Sequence, residues 1–174
     1  MLSDAIYYYI MKRICIKIGS NVLTKENGEL NTSRIKNIVF QISELHKKGF
    51  QCILVSSGAV AAGKSKLSLP EKLDTVSARQ IWSSVGQVEL LNMYSSFLKE
   101  FKIECAQVLV TKQDFRTREH YLNMKNCLNS LLTNSILPIV NENDAVSVTA
   151  LMFTDNDELS GLIASMMDVE ALYL

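Results

Sequence analysis

Residues 136–167 read ILPIVNENDAVSVTALMFTDNDELSGLIASMM. The run Ile136 to Val140 is short and apolar, as a strand buried on both faces is. From about Asn156 onward, Leu159, Leu162, Ile163, Met166 and Met167 recur at helical spacing. Between the two lies a dense set of carboxylates and amides, Asn141 to Asp144 and Asp155 to Glu158. These polar groups therefore stand at the carboxyl end of a strand and again at the start of a helix. In open α/β sheets that edge is where ligands bind. Acids and amides without histidine or cysteine suit an ammonium group or a hydrated hard cation better than zinc.

The same alternation runs through the rest of the chain. Arg13 to Ile18 reads as a strand with Ile14, Ile16 and Ile18 on one face, broken by Gly19-Ser20-Asn21. Lys25 to Asn31, with Asn27-Gly28, reads as a turn or hairpin. Thr32 or Ser33 is expected to cap a helix whose apolar face is Ile35, Ile38, Val39, Ile42 and Leu45, with Gly49 ending it. Cys52 to Val55 is the next strand, and Ser56-Ser57-Gly58 leads into a second helix. After a loop at Pro70, a long helix is expected over Val76 to Phe101, with Ile81, Val85, Val88, Leu91 and Leu98 inward. Cys105 to Val110 reads as a strand. Arg118 to Thr133 reads as a helix with Tyr121, Met124, Leu128 and Leu131 inward. Strands alternating with helices predict an α/β fold: a mostly parallel sheet covered on both faces, a three-layer αβα sandwich. Ala171 to Leu174 begins a further strand and stops, so a truncated chain is expected. The folded unit is expected to start near Met11, with Met1 to Ile10 as a loose extension.

The chain has 174 residues, enough for one domain with a real core. Its 18 basic and 18 acidic residues cancel, unlike the net positive footprint of a nucleic-acid binder. The apolar fraction of 48% excludes a disordered chain, and no apolar run approaches bilayer-spanning length. No nucleic-acid or membrane partner is expected. Cys15, Cys52 and Cys105 fall in strand-like runs, Cys127 does not, and none forms a C-x-x-C pair. Reduced, buried thiols in a cytoplasmic protein are the expected reading of all four. His46 and His120 both fall in helical stretches and read as surface residues.

Gly58 to Ser65 (GAVAAGKS) matches the pattern G-x-x-x-x-G-K-[ST] and follows a strand. In a phosphate-binding loop of that kind the glycine-rich stretch stays irregular so that its amides cradle phosphates. Ala59 to Ala62 are helix-friendly, and Pro70 leaves barely one turn of helix after Ser65. The helix is therefore expected to start near Gly58, and a P-loop nucleotidase using residues 58–65 is the weaker alternative. Lys64 and Lys66 read as solvated helix charges.

Five blocks line up at strand ends: Lys17 to Thr24 (KIGSNVLT), Ser56 to Gly63 (SSGAVAAG), Ala78-Arg79-Gln80 with Val85-Gly86-Gln87, Asn141 to Val146 (NENDAV), and Asp155 to Ser160 (DNDELS). In combination they resemble the amino acid kinase family, from about Lys12 to the last residue. The last two blocks resemble its glutamate-phosphorylating branch rather than those acting on carbamate, aspartate or nucleotides. The resemblance implies a carbamate kinase-like sandwich. It also implies ATP-dependent phosphorylation of the side-chain carboxylate of L-glutamate, as the first step of proline biosynthesis, with Mg2+ held mainly through ATP phosphates. By resemblance, Lys17 and Asp157 are catalytic, and Lys17, Gly19 and Ser20 meet phosphate. Ser57, Gly58, Ala59, Asn141, Asp144 and Asn156 bind glutamate. No protein metal ligands are expected. Feedback inhibition by proline and a homo-oligomer, built through the 76–101 helix, are further expectations.

The resemblance makes residues 12–174 the glutamate-binding part of such a domain, with the nucleotide-gripping part incomplete. An amino-acid-binding half domain without catalysis is thus the main alternative. Taken by pattern alone, several of these residues have plainer readings. Ser57-Gly58 makes a helix cap. Thr154 with Asp157 has capping-box spacing. Asn141 to Asp144 makes an Asx-rich turn.

Overall fold

The computed structural model describes residues 12–147, 153 and 155–174. The expected extension at 1–10 lies outside the described residues, as does Thr154. Five strands form one parallel sheet: β1 (Arg13–Ile18), β2 (Gln51–Ser56), β3 (Cys105–Val110), β4 (Leu137–Glu142) and β5 (Ala171–Tyr173). Their spatial order is β3-β4-β2-β1-β5. The helices are α1 (Ser20–Leu23), α2 (Thr32–Lys47), α3 (Ala59–Lys66), α4 (Thr75–Lys99), α5 (Arg118–Thr133) and α6 (Asn156–Met167).

The period-two geometry of the strands divides the core into two layers. Ile14, Cys52, Leu54, Leu137 and Ile139 face α2 and α4, among Ile35, Val39, Ile42, Leu90 and Leu98. Their neighbours Cys15, Ile53, Val55 and Val140 face the other way, among Met124, Leu128, Ile163 and Met166 of α5 and α6. This is the three-layer sandwich read from the sequence. Lys17 shares its face with Cys15, which aims it at the α6 layer.

Several local expectations need correction. The cap of α2 is Asn31, whose side chain accepts from the Arg34 N–H at 3.2 Å, so Thr32 and Ser33 already lie inside the helix. Residues 20–23 form a short helix rather than a simple break, and the following turn is closed by a single antiparallel bridge, Thr24 to Leu30. On α5 Leu132, not Leu131, is buried, because the face centred on Met124 and Leu128 continues there. His46 is half-buried, while His120 is exposed.

The largest correction concerns α4. Ile81 and Val88 are exposed (36% and 59%), and Val85 and Leu91 are only partly covered; of the expected inner residues, Leu98 alone is fully buried. The buried face is Ala78, Ser83, Gly86, Gln87, Leu90, Tyr94 and Leu98. Its first half is small or polar because α3 packs there with backbone against backbone. A Cβ added at Gly86 would lie 1.7 Å from the Ala59 carbonyl oxygen, and one at Gly63 would lie 1.8 Å from that of Trp82. A contact that close selects glycine, not bulk, so apolar periodicity points to the wrong face.

Helix α3 begins at Ala59, after Gly58 at φ +100°. In that left-handed backbone a side chain is strained, and a Cβ would also touch Leu23. Residues 59–66 are thus helical where a P-loop needs irregular backbone.

Gly86→Ala is expected to destabilise the fold by about 3 kcal/mol, since the clash is with a main-chain atom that cannot rotate away. Urea denaturation followed by circular dichroism measures this, and an unchanged midpoint contradicts the packing described. Thiol labelling at pH 8 checks the core. Burial pushes Cys15 and Cys52 up to about 12, so both resist labelling until the chain is denatured, while the exposed Cys127 reacts at once.

Candidate functional site

The carboxyl ends of β1, β2 and β4 open onto a cavity of about 430 Å³. Ser20, Ser57, Gly58, Ala59, Asn141, Asp144 and Asn156, all singled out from sequence, line it together. The remaining three, Lys17, Gly19 and Asp157, form an adjoining cluster. Lys17 pairs with Asp157 at the start of α6, and its ammonium lies against Gly19, 3.6 Å from where a Cβ would stand. The two groups are joined through the chain, since Ser20 follows Gly19 and Asn156 precedes Asp157.

Each position has a local cause. Strand β4 runs on through Asn141 and Glu142, so these two are buried strand residues at 4% and 5% exposure rather than part of a turn. The turn comes afterwards and places Asp144, whose side chain is 8% exposed. Helix α6 is capped by Asp155, whose carboxylate accepts from the N–H groups of Asp157 and Glu158 at 2.9 and 3.0 Å. With capping done by Asp155, the side chains of Asn156 and Asp157 are free for other contacts. Strand β2 is held from behind by Tyr94, whose hydroxyl lies 3.0 Å from Ser56 Oγ.

The cavity floor is a hydrogen-bonded chain of side chains. Asn156 Nδ2 donates to Ser57 Oγ at 2.6 Å and to Asn141 Oδ1 at 3.2 Å, and it approaches the Ser56 carbonyl at 3.4 Å. Asn141 Oδ1 also accepts from the Glu142 N–H at 2.9 Å. Because Ser57 Oγ is used as an acceptor, its own O–H remains to donate. The amide Nδ2 of Asn141 has no hydrogen-bond acceptor among the described residues. Helix α3 directs its first-turn N–H groups, from Ala59 onward, at the same wall. This half of the cavity therefore offers donors to an anion.

The opposite wall carries charge. Arg79, on the first turns of α4, donates from Nε at 3.1 Å and from Nη2 at 2.8 Å to Asp144 Oδ1. Gln80 beside it donates to the Ala145 carbonyl at 2.7 Å, tying α4 to the turn after β4. Asp144, expected to bind glutamate, already has an internal cation in Arg79. Nothing in spacing links Arg79 to an acid so far along the chain, although Ala78-Arg79-Gln80 stands out as a block. Glu142, read as a turn residue, also lines the cavity and accepts from the Phe153 N–H at 3.0 Å. Burial, and secondarily the neighbouring Asp144 carboxylate, hold the Glu142 acid above its ordinary range; the Phe153 N–H and Arg79 offset part of that.

Among the described residues no three of His, Cys, Asp and Glu converge into a metal cage. No described helix is long and apolar enough to cross a membrane.

Comparison with known proteins bears on the family and the fold. The model of the amino acid kinase family matches residues 12–174. Glutamate 5-kinase of Bacteroides thetaiotaomicron is 55% identical over 162 residues, which is 93% of this chain and 45% of that protein. Glutamate 5-kinase of Chlorobaculum tepidum is 51% identical with the same coverage. The chain thus spans less than half the length of these curated relatives. Among solved structures, a Giardia carbamate kinase superposes with a TM-score of 0.62 at 19% identity, covering 92% of this chain and 71% of that one. A Giardia lamblia carbamate kinase bound to AMP-PNP superposes with 0.61 at 17%, covering 92% and 69%. At that identity the likeness is one of fold.

Glu142→Gln checks the electrostatics. An acid raised on folding costs nothing while protonated in both states, below its ordinary range. The cost grows as pH rises past the ordinary value and is complete once pH exceeds the folded value. The melting temperature of the variant relative to the parent is therefore expected to be higher at pH 7.5 than at pH 4. A difference independent of pH contradicts the assignment.

Proposed function

The chain belongs to the amino acid kinase family, and from that premise we propose that its cavity serves ATP-dependent phosphorylation of the side-chain carboxylate of L-glutamate, opening proline biosynthesis. The observation that carries the proposal is the convergence on one sheet edge of two unlike charge sites. The Lys17–Asp157 pair stands over β1. The acidic Asp144 stands beyond β4, with Ser57 and Asn156 between them. The high identity to enzymes named glutamate 5-kinase supports the choice of substrate.

The reaction asks little of acid–base chemistry. The acceptor carboxylate, with a pKa near about 4.3, is ionised at neutral pH and needs no base. One of its oxygens bonds to the γ-phosphorus as the bond from phosphorus to the ADP oxygen breaks, and no proton moves. The barrier is the approach of two anions, which positioning and cationic groups reduce. Lys17 supplies a side-chain cation at 16% exposure, in a partly desolvated position where its charge acts strongly, and Asp157 holds it in place. The amides at Gly19-Ser20 add partial positive charge toward phosphate. Ser57, Asn141 and the start of α3 orient the carboxylate end of glutamate. Asp144, with Asn156 nearby, receives the ammonium. Mg2+ bound mainly to ATP phosphates would neutralise further charge.

In this proposal the enzyme is cytoplasmic, where free thiols such as its four cysteines persist. It forms a homo-oligomer using the outward Ile81 and Val88 of α4. Proline, sharing an amine and an α-carboxylate with glutamate, competes at the same cavity. A second reading, an amino-acid-binding half without catalysis, is favoured by one fact: the chain covers 45% of its relatives.

Trapping of acyl phosphate with hydroxylamine distinguishes the two. With ATP and Mg2+, the kinase reading expects hydroxamate, formed slowly by this chain, from glutamate and none from aspartate or carbamate. Lys17→Ala is expected to lower kcat by about 10²-fold or more, and Asp144→Ala to raise the KM for glutamate. Calorimetric binding of glutamate with no hydroxamate formed supports the half-domain reading instead.

A further inference from the structure

If the cavity takes an amino acid, as proposed above, the Arg79–Asp144 pair has more to do than brace the fold. We propose that Arg79 is a specificity-determining residue: its guanidinium grips the α-carboxylate of the ligand while Asp144 takes the ammonium, so that the pair reads the zwitterionic head.

The hydrogen-bond geometry leaves both partners half used. Both donors of Arg79 land on the same atom, Asp144 Oδ1. Oδ2 carries no hydrogen bond among the described residues. A guanidinium has five N–H groups in a planar fork, and Asp144 takes two. The others have no acceptor among the described residues, and the Arg79 side chain is 47% exposed on the cavity wall. A buried carboxylate with one open oxygen thus sits beside a fork of open donors. That is the mirror image of an α-amino acid head, whose ammonium and carboxylate share one carbon. Planar two-point recognition of a carboxylate is what arginine does well and lysine does not.

Charge balance favours the same assignment. The pair is neutral before binding, and a zwitterionic head adds one charge of each sign, so the 8% exposed Asp144 never loses compensation. The remaining ligand charge, the side-chain carboxylate, is left for the donors beyond β2 and for Lys17 beyond β1. Adjacent strands lie about 4.8 Å apart, so β4 and β1, with β2 between them, are about 10 Å apart. A ligand with its head at Arg79–Asp144 therefore points its tail over Ser57 toward Lys17. The other cation of the wall, Lys64, is a poor rival: its ammonium stands over the Trp82 ring, 4.8 Å from the centroid, and it makes no ion pair with Asp144.

The alternative is that Arg79 only positions Asp144. Calorimetric titration with three ligands separates the two. Glutamate has both head charges, glutarate lacks the ammonium, and 4-aminobutyrate lacks the α-carboxylate. Arg79→Gln is expected to raise the Kd of glutamate and of glutarate tenfold or more while changing that of 4-aminobutyrate less than about twofold. Arg79→Lys, which keeps the charge but not the fork, is expected to fall between, with a melting temperature near the parent's. Loss of glutamate and 4-aminobutyrate with glutarate spared overturns the proposal and makes Arg79 a positioning residue. Equal loss of all three in Arg79→Gln and Arg79→Lys overturns it as well. Failure of the parent chain to bind glutamate removes the amino-acid reading and this inference together.

Discussion

The contact between α3 and α4 at Gly63 and Gly86 sets most of what matters around the cavity. Two helices meeting backbone to backbone cannot shift without breaking main-chain packing. One of them begins at the cavity and contributes Gly58, Ala59 and its first amide groups. The other presents Arg79 and Gln80, which reach across to the turn after β4. A donor wall and a charged wall are thereby held at a fixed separation by two residues that have no side chain. Glycine here serves proximity rather than flexibility.

Around that frame the site is organised by sign. Donors gather where α3 starts and where Ser57 and Asn141 stand. Carboxylates gather beyond β4, with Arg79 keeping Asp144 compensated and burial holding Glu142 above the usual carboxylate range. Lys17 stands apart, aimed by the strand's alternation into the opposite layer, where Asp157 meets it. In the proposed function, a molecule with an ammonium and a carboxylate at one end and a second carboxylate at the other fits such an arrangement better than a simple anion or cation.

The plan of the fold was legible because parallel strands buried on both faces read as apolar runs, and because turns and caps carry distinctive residues. β1, β3 and α5 fall where alternation and periodicity put them. Errors arose where the buried surface is not apolar. The inner face of α4 is built from Ala78, Gly86 and Gln87, while Ile81 and Val88 stand outside. The end of β4 is Asn141 and Glu142, polar residues buried because they form the cavity floor. A rule that equates burial with greasiness fails at the places where a protein binds polar ligands or packs backbone on backbone.

The amino-acid sequence by itself determined the layered architecture, the edge of the sheet that carries polar chemistry, and nearly all the side chains that gather there, since local periodicity and short motifs encode them. Tertiary structure alone decided which of them touch. That Arg79 neutralises Asp144, that Asn156 is spent on Ser57 and Asn141, and that Glu142 closes onto Phe153 are contacts between distant segments. Their partners are chosen by how helices dock on a twisted sheet, and spacing along the chain carries no record of that geometry.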